Sequence, residues 1–335
     1  MPPTAPAVSP SRTGPEGSPG PELTVVTLTH WGRWLAAALS LTALAALVGS
    51  LARNDNLRWD IVGEYLFTDL VFDGLLTTVW LTVGAMALGL VLGVLLAVMR
   101  LSPNPVLFGL SGLFVWLFRG TPLLVQIIFW GYAGALYSQL TIGLPFTDVV
   151  FFQADTNALL TPVVAALLAL ALHEAAYASE IVRAGIQSVD TGQTEAAHSL
   201  GMRPALTMRR IVLPQAMRVI IPPMGNETIN MLKMTALVSV ISAHDLMSNI
   251  QAVYAQNYQV IPMLVVASLW YLALVTLLSV PQSWLERRYG RGVAGSAAPS
   301  VLQRVFRGAR PRPSVHRADA PPTPTPDDAT EESAQ

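Results

Sequence analysis

The sequence predicts an all-α integral membrane protein whose chain crosses the bilayer six times. Three observations carry this expectation. The 335 residues are 52% hydrophobic and only 12% charged, about half the charged share of a soluble domain. Uncharged apolar runs of membrane-spanning length recur along the chain. The basic residues are spaced so that successive loops alternate between rich and poor in arginine. The formal net charge of −1 excludes a uniformly basic nucleic-acid binder, and the absence of cysteine excludes disulfides, thiolate metal sites and catalytic thiols.

Taken in order, residues 1–28 form a Pro-, Ser- and Gly-rich tail without apolar periodicity, expected to be disordered. Residues 29–53 contain the uncharged run Trp34 to Ala52, the first span. A secretory signal peptide has a positive start and an apolar stretch of roughly 7–15 residues. Here a long mixed segment precedes a longer apolar run, which favours a retained helix. Gly74 to Met99 is the second span. Val106 to Phe118 is too short to cross and reads as an interfacial lead-in. Gly120 to Thr147 is the third span. Thr156 to Leu172, continuing to about Ile181, is the fourth. Thr228 to Ala243, with the single charge Lys233, is the fifth. The sixth is Pro262 to Trp284. Residues 286–335 turn from Arg-rich to Pro-rich and acidic, a second solvated tail whose arginines also suit anionic lipid headgroups.

Orientation follows from the arginines. With six spans and the N-terminus inside, Arg12, Arg33, Arg100, Arg119, Arg183, Arg203, Arg209, Arg210 and Arg218, with every arginine after Trp284, lie at the cytoplasmic side. The outer loops keep Arg53 and Arg58 beside Asp55, Asp60, Glu64, Asp69 and Asp73, and the loops around Pro145 and Tyr254 have no basic residue. Adding or removing one span destroys this asymmetry.

The long polar loop at 183–223 does not have the composition of a disordered segment. Thr191-Gly192-Gln193-Thr194-Glu195 reads as a turn into a helix, with Thr194 as the candidate N-cap. The helix ends near Gly201, a suitable C-terminal glycine. Met202-Arg203-Pro204 starts a second helix, which Pro214 breaks or kinks. A short, stiff pair of helices on the cytoplasmic face suits docking of a partner; a surface helix pair without a partner is the plainer alternative.

The spacing of this loop carries a resemblance. Glu195-Ala196-Ala197, three residues, Gly201, nine residues, then Ile211-Val212-Leu213-Pro214 matches the EAA motif of bacterial ABC-importer permeases without a gap. Phe118-Arg119-Gly120-Thr121-Pro122-Leu123-Leu124-Val125-Gln126 resembles the signature of permeases for polar amino acids of the histidine, glutamate, glutamine, arginine and opine group. Ala175 to Ile186, Pro222 to Glu227 and Leu232 to Ile241 are similar to further stretches of that group. The resemblance covers about residues 73–285 and departs from the family at Met234 and Ala236 and in the additional first span. It implies a type I ABC importer transmembrane domain, a MetI-like helical bundle of five core spans plus one extra N-terminal span. It also implies a multi-pass protein of the bacterial cytoplasmic membrane with both termini cytoplasmic. The implied partners are cytoplasmic ABC ATPase subunits, a second permease in a homo- or heterodimer, an extracytoplasmic substrate-binding protein and membrane lipid, with no nucleic acid. By the same resemblance Glu195, Ala196, Ala197, Gly201, Ile211, Leu213 and Pro214 form the ATPase-docking segment.

Polar residues inside the spans are the remaining candidates. His173, Tyr177 and Glu180 share one face of the fourth span, with Glu174 beside them. Asn226, Asn230 and Lys233 share a face of the fifth. Charges at bilayer depth are costly unless paired or facing water. Glu174, Lys233, Asn230, Asn226 and Tyr177 are therefore candidates for the translocation pathway, where opposite charges meet the two ends of an amino acid. A structural Glu174–Lys233 pair, or snorkelling, stands equally well. Glu180 and Arg183 read as a structural pair, Arg119 as a headgroup contact or part of an inner gate, and Gly89 and Gly93 as a close-packing pair. No metal-ligand spacing, clustered nucleophile or Walker loop occurs. The chain is thus expected to be a transport subunit rather than an enzyme, with no cofactor of its own and with ATP and Mg held by the partner ATPase. The alternative reading is a secondary transporter or channel using Glu174 and Lys233.

Overall fold

The computed structural model describes residues 31–144 and 149–289. Residues 1–30, the loop 145–148 and residues 290–335, with the arginines they contain, lie outside the described residues. The chain divides into two compact units, one ending at Ala45 and the other running from Ala46. Helix α1 (Trp31–Ala52) carries exposed apolar side chains from Trp31 to Leu51.

A 3-10 turn (Asp55–Leu57) and α2 (Trp59–Tyr65) lead to α3 (Asp69–Arg100). Asp69 in its first turn and Arg100 in its last complement the helix dipole. Next comes α4 (Pro105–Gly120), started by Pro105 and by Asn104, whose Oδ1 accepts the Val106 N–H at 2.9 Å. Then α5 (Leu123–Gly131) leaves at 101° to α4. The bend is local: Pro122 has no N–H to donate, and it holds Thr121 in an extended conformation (φ −108°, ψ 142°).

The expected third span therefore needs correction. Gly120 to Thr147 is not one helix. After α5 and the short α6 (Ala133–Leu136) the chain forms an antiparallel hairpin, β1 (Gln139–Gly143) and β2 (Val150–Asp155), with Gln139 opposite Asp155 and Thr141 opposite Gln153. β-branched and aromatic residues such as Thr141, Ile142, Val150 and Phe151 suit strands, and an uncharged run alone does not separate strand from helix. α7 (Thr156–Leu159) then precedes α8 (Pro162–Gln187), the longest-buried element, capped by Thr161 and Pro162.

The polar segment after α8 contains α9 (Thr191–Ser199), α10 (Pro204–Thr207) and a π turn (Met208–Val212) that runs directly into α11 (Leu213–Met234). Two expectations are corrected here. The N-cap is Asp190, whose Oδ1 accepts the Gly192 N–H at 2.8 Å, not Thr194. Pro214 does not break the helix. The π turn absorbs the missing N–H, so one helical path runs from Pro204 to Met234.

The fifth span is also corrected. Its helix starts at Leu213 rather than Thr228 and stops at Met234, followed by a 3-10 segment (Thr235–Ile241). Thr235, Val238, Val240 and Ile241 are β-branched and poor helix formers. The Thr235 hydroxyl donates to the Leu232 carbonyl at 2.6 Å. Ser242 and His244 then adopt left-handed backbone (φ 54° and 57°), and Asp245 caps α12 (Leu246–Asn257), accepting the Met247 and Ser248 N–H groups. The last element is α13 (Val260–Tyr289). Among the described residues α1, α3, α8 and α13 are single helices long and apolar enough to cross a membrane, and the bent pair α4–α5 adds a fifth candidate. α11, which occupies the start of the expected fifth span, is not among these candidates.

The core is built where α3 and α8 cross. Gly89 and Gly93 remove the side chains that keep the helices apart: a Cβ on Gly89 meets Glu174 Cγ at 2.6 Å, and one on Gly93 meets Ala178 Cβ at 2.6 Å. Alanines 165, 166 and 169 of α8 pack with Leu81 and Ala85 of α3, Ile127 of α5 and Val238. A second cluster joins α3, α12 and α13 through Val71, Leu246, Ile250, Met263 and Val266. The third, Ala97, Val182, Ala216 and Ile220, ties the ends of α3 and α8 to α11.

Candidate functional site

Helix α9 ends in a complete Schellman motif. The Met202 N–H reaches the Ala197 carbonyl at 3.1 Å, the Gly201 N–H reaches the His198 carbonyl at 2.9 Å, and Gly201 has φ +75°. The chain thereby reverses into α10 within a few residues. Ala197, Thr207 and Val212 are buried and hold the pair together. The opposite surface is open: Glu195, Ala196, Leu213 and Pro214 are exposed, and Leu200 at the turn is 82% exposed. Ile211 is half-buried between these two faces. The result is a stiff projection with a carboxylate and a large apolar side chain presented outward, and its second helix is continuous with α11.

The candidate pathway residues are not gathered in one place. Glu174 is buried against Gly89, with Oε1 lacking a hydrogen-bond partner. Lys233 is exposed on the protomer surface, and no Glu174–Lys233 ion pair occurs among the described residues. The charged group that acts on Glu174 is instead Glu227 of α11. Asn226 is exposed and accepts from Gln282 Nε2 of α13 at 2.9 Å. Of the candidates, Tyr177 lines a cavity. This space of about 410 Å³ is bounded by the loop 119–123, His173, Tyr177, Met234 and Leu237. The His173 and Tyr177 rings lie 4.8 Å apart, and the Arg119 guanidinium sits 5.2 Å over the Tyr177 ring.

The residue that shapes this cavity mouth is Gln126, absent from the sequence-based candidates. It is 6% exposed. Its Nε2 donates to the Phe118 carbonyl at 2.9 Å and to the Thr121 carbonyl and hydroxyl at 3.1 and 2.9 Å. These bonds satisfy carbonyls freed by the Thr121-Pro122 break. The signal was present: a glutamine four residues after a proline that ends a helix is placed to cap the broken turn.

Helices of spanning length, a bent second helix pair and a projecting helix-turn-helix joined to a spanning helix define the transmembrane permease subunit of an ABC importer. Residues 89–291 match the family model of the binding-protein-dependent transport system inner membrane component, and the chain belongs to that family. It is 45% identical over 267 residues to the arginine transport system permease protein ArgU of Corynebacterium glutamicum, covering 79% of this chain and 82% of that relative. It is 35% identical over 247 residues to the L-cystine transport system permease protein TcyB of Bacillus subtilis, covering 73% and 97%. A crystal structure of an amino acid ABC transporter with histidines shares 34% identity, with a TM-score of 0.55 over 65% of this chain and 94% of that one. An inward-facing structure of the MetNI methionine ABC transporter, at 21% identity and a TM-score of 0.50, shares the fold.

Proposed function

We propose that this permease moves a polar amino acid across the bacterial cytoplasmic membrane by alternating access, powered by a separate ATPase docked on residues 195–214. The observation that carries the reading is the Schellman-turned helix pair with Glu195 and Leu200 exposed on a rigid arm continuous with α11. Such an arm converts closure of an ATPase dimer into rotation of the attached helices. The amino acid substrate is supported by the relatives that carry arginine and cystine in their names. ATP and Mg are held by the ATPase, whose two sites call for two permease subunits around one pathway. Both termini face the cytoplasm, an orientation supported by Arg100, Arg119, Arg183 and the arginines of the docking arm. The test is reconstitution with a partner ABC ATPase and substrate-binding protein, measuring ATP hydrolysis across the polar amino acids. Stimulation by at least one of them is expected. Uptake that survives ATP depletion, with no ATPase in the purified complex, overturns the reading in favour of a secondary transporter.

Within that reading Tyr177, Asn226 and Asn230 belong to the pathway, with Glu174 and Lys233 as its charged candidates. Lys233→Ala is expected to reduce uptake at unchanged membrane insertion. Glu174→Ala is expected to do the same, acting on the α3–α8 crossing beside the path. If both variants insert and transport at the parental rate, these two residues have no pathway role.

A further inference from the structure

We propose that Glu180 is a positioning residue through which the docking arm acts on the cavity loop 119–123, an inference that rests on the docking role proposed for residues 195–214. Glu180 lies about two turns before α8 ends at Gln187. Its two carboxylate oxygens serve different helices. Oε2 accepts from Arg183 within α8, at 2.6 Å from Nη2 and 3.2 Å from Nε. Oε1 faces Arg100 Nε at the end of α3, at 3.5 Å. Arg119, at the end of α4, acts on the same carboxylate through charge. One anion thus pairs with two guanidinium groups from the ends of α8 and α3 and attracts a third from the end of α4.

Each arginine extends the connection. Arg183 Nη1 donates to Gln187 Oε1 at 2.6 Å, reaching the last turn before the docking arm. Arg100 lies 5.8 Å from the Phe108 ring of α4. Arg119 covers Tyr177 and begins the loop that bounds the cavity. On its other side the end of α8 is locked to α11, because Ile220 packs directly on Gly185 and both helices share the cluster with Ala97. A movement of the arm therefore reaches α8 through apolar packing and leaves it for α3 and α4 through Glu180. Isolated exposed ion pairs contribute little. Here the Glu180 side chain is only 19% exposed, and its removal leaves three like charges with no anion between them. The physical basis for transmission is a packed element with two discrete arrangements.

The chain has no cysteine, so Leu237→Cys supplies a single reporter on the cavity wall. In the full complex with its ATPase, maleimide labelling is compared without nucleotide and with ATP plus vanadate. With Glu180 in place the two rates are expected to differ about fivefold or more, the usual lower range of coupling between sites. Glu180→Gln is expected to bring the rates together while the ATPase still co-purifies and hydrolyses ATP. Glu180→Asp is expected to restore part of the difference. Arg100→Gln, which leaves the Glu180–Arg183 pair intact, is expected to reduce it and decides the matter if Glu180→Gln does not assemble. A purely structural role lowers yield without changing the ratio, so an assembled Arg100→Gln or Glu180→Gln complex with the parental ratio overturns the proposal. Loss of the nucleotide effect with Glu180 present, and no ATPase co-purifying, overturns the docking reading itself.

Discussion

Replacing Gly93 with leucine is expected to destabilise the permease strongly. Gly93 sits at the crossing of α3 and α8, where an added Cβ falls 2.6 Å from Ala178 Cβ, 3.1 Å from the Ala175 carbonyl and 3.1 Å from the Ser179 nitrogen. Two of these neighbours are backbone atoms of a helix and have no rotamer to change. The helices must separate, and the buried contacts of Ala85, Ala165, Ala166 and Ala169 open with them. In a membrane such packing is a main source of helix association, since lipid offers the apolar side chains no worse a solvent. Overpacking costs about 3 kcal/mol at its upper end, a large part of the about 5–15 kcal/mol that separates folded from unfolded states. Gly109→Leu is the control, because nothing lies within 4 Å of a Cβ at Gly109. The measurement is monodisperse yield and thermal stability in detergent. Gly109→Leu is expected to match the parent and Gly93→Leu to show a clearly lower yield and melting temperature. Equal behaviour of the two sinks the packing argument.

The same glycines show what a sequence reveals about such a fold. Gly89 and Gly93 at a four-residue spacing mark a close helix contact, and that contact is present. Spacing does not name the helix on the other side. Glu174 and Lys233 fall on suitable faces of their own helices, yet the rotation of α8 is set by its packing on Gly89, which turns Glu174 into the crossing and away from Lys233. The uncharged runs located α3, α8 and α13 because hydropathy acts over a whole helix. It failed at Thr121-Pro122 and at Thr235, where single residues redirect the backbone inside an apolar run, and at the hairpin, where strand and helix have the same apolarity. The helix pair between α8 and α11 was more legible than any span. Its turn depends on local chemistry, with Asp190 and Gly201 at the two ends of α9, although the cap expected at Thr194 lies instead at Asp190, which accepts the Gly192 N–H.

Reversing the charge at Glu195 is expected to produce the largest loss of transport with the least change in the protein itself. Glu195 is exposed in the protomer, and its backbone carbonyl, not its carboxylate, receives the Ser199 hydroxyl at 3.0 Å. Exposed substitutions away from caps and cores change stability by about 0.5 kcal/mol or less, so Glu195→Lys is expected to fold and insert as the parent does. At the proposed ATPase interface the situation differs. Losing one member of a buried, hydrogen-bonded charge pair costs about 2–5 kcal/mol, and reversal adds repulsion. Uptake by the reconstituted complex is therefore expected to fall about thirtyfold or more, since each 1.4 kcal/mol is tenfold. The ATPase is expected to dissociate on gel filtration. Gly201→Val attacks the same function by a different route. A β-branched residue is strained at φ +75°, at about 1–2 kcal/mol, and opening the Schellman turn misdirects Leu200 without touching a charge. Glu195→Gln keeps the side-chain shape and one acceptor and is expected to fall between parent and Glu195→Lys. If Glu195→Lys retains both its ATPase and parental uptake, the carboxylate lies outside the docking interface, and the arm must engage its partner through the apolar face around Leu200 alone.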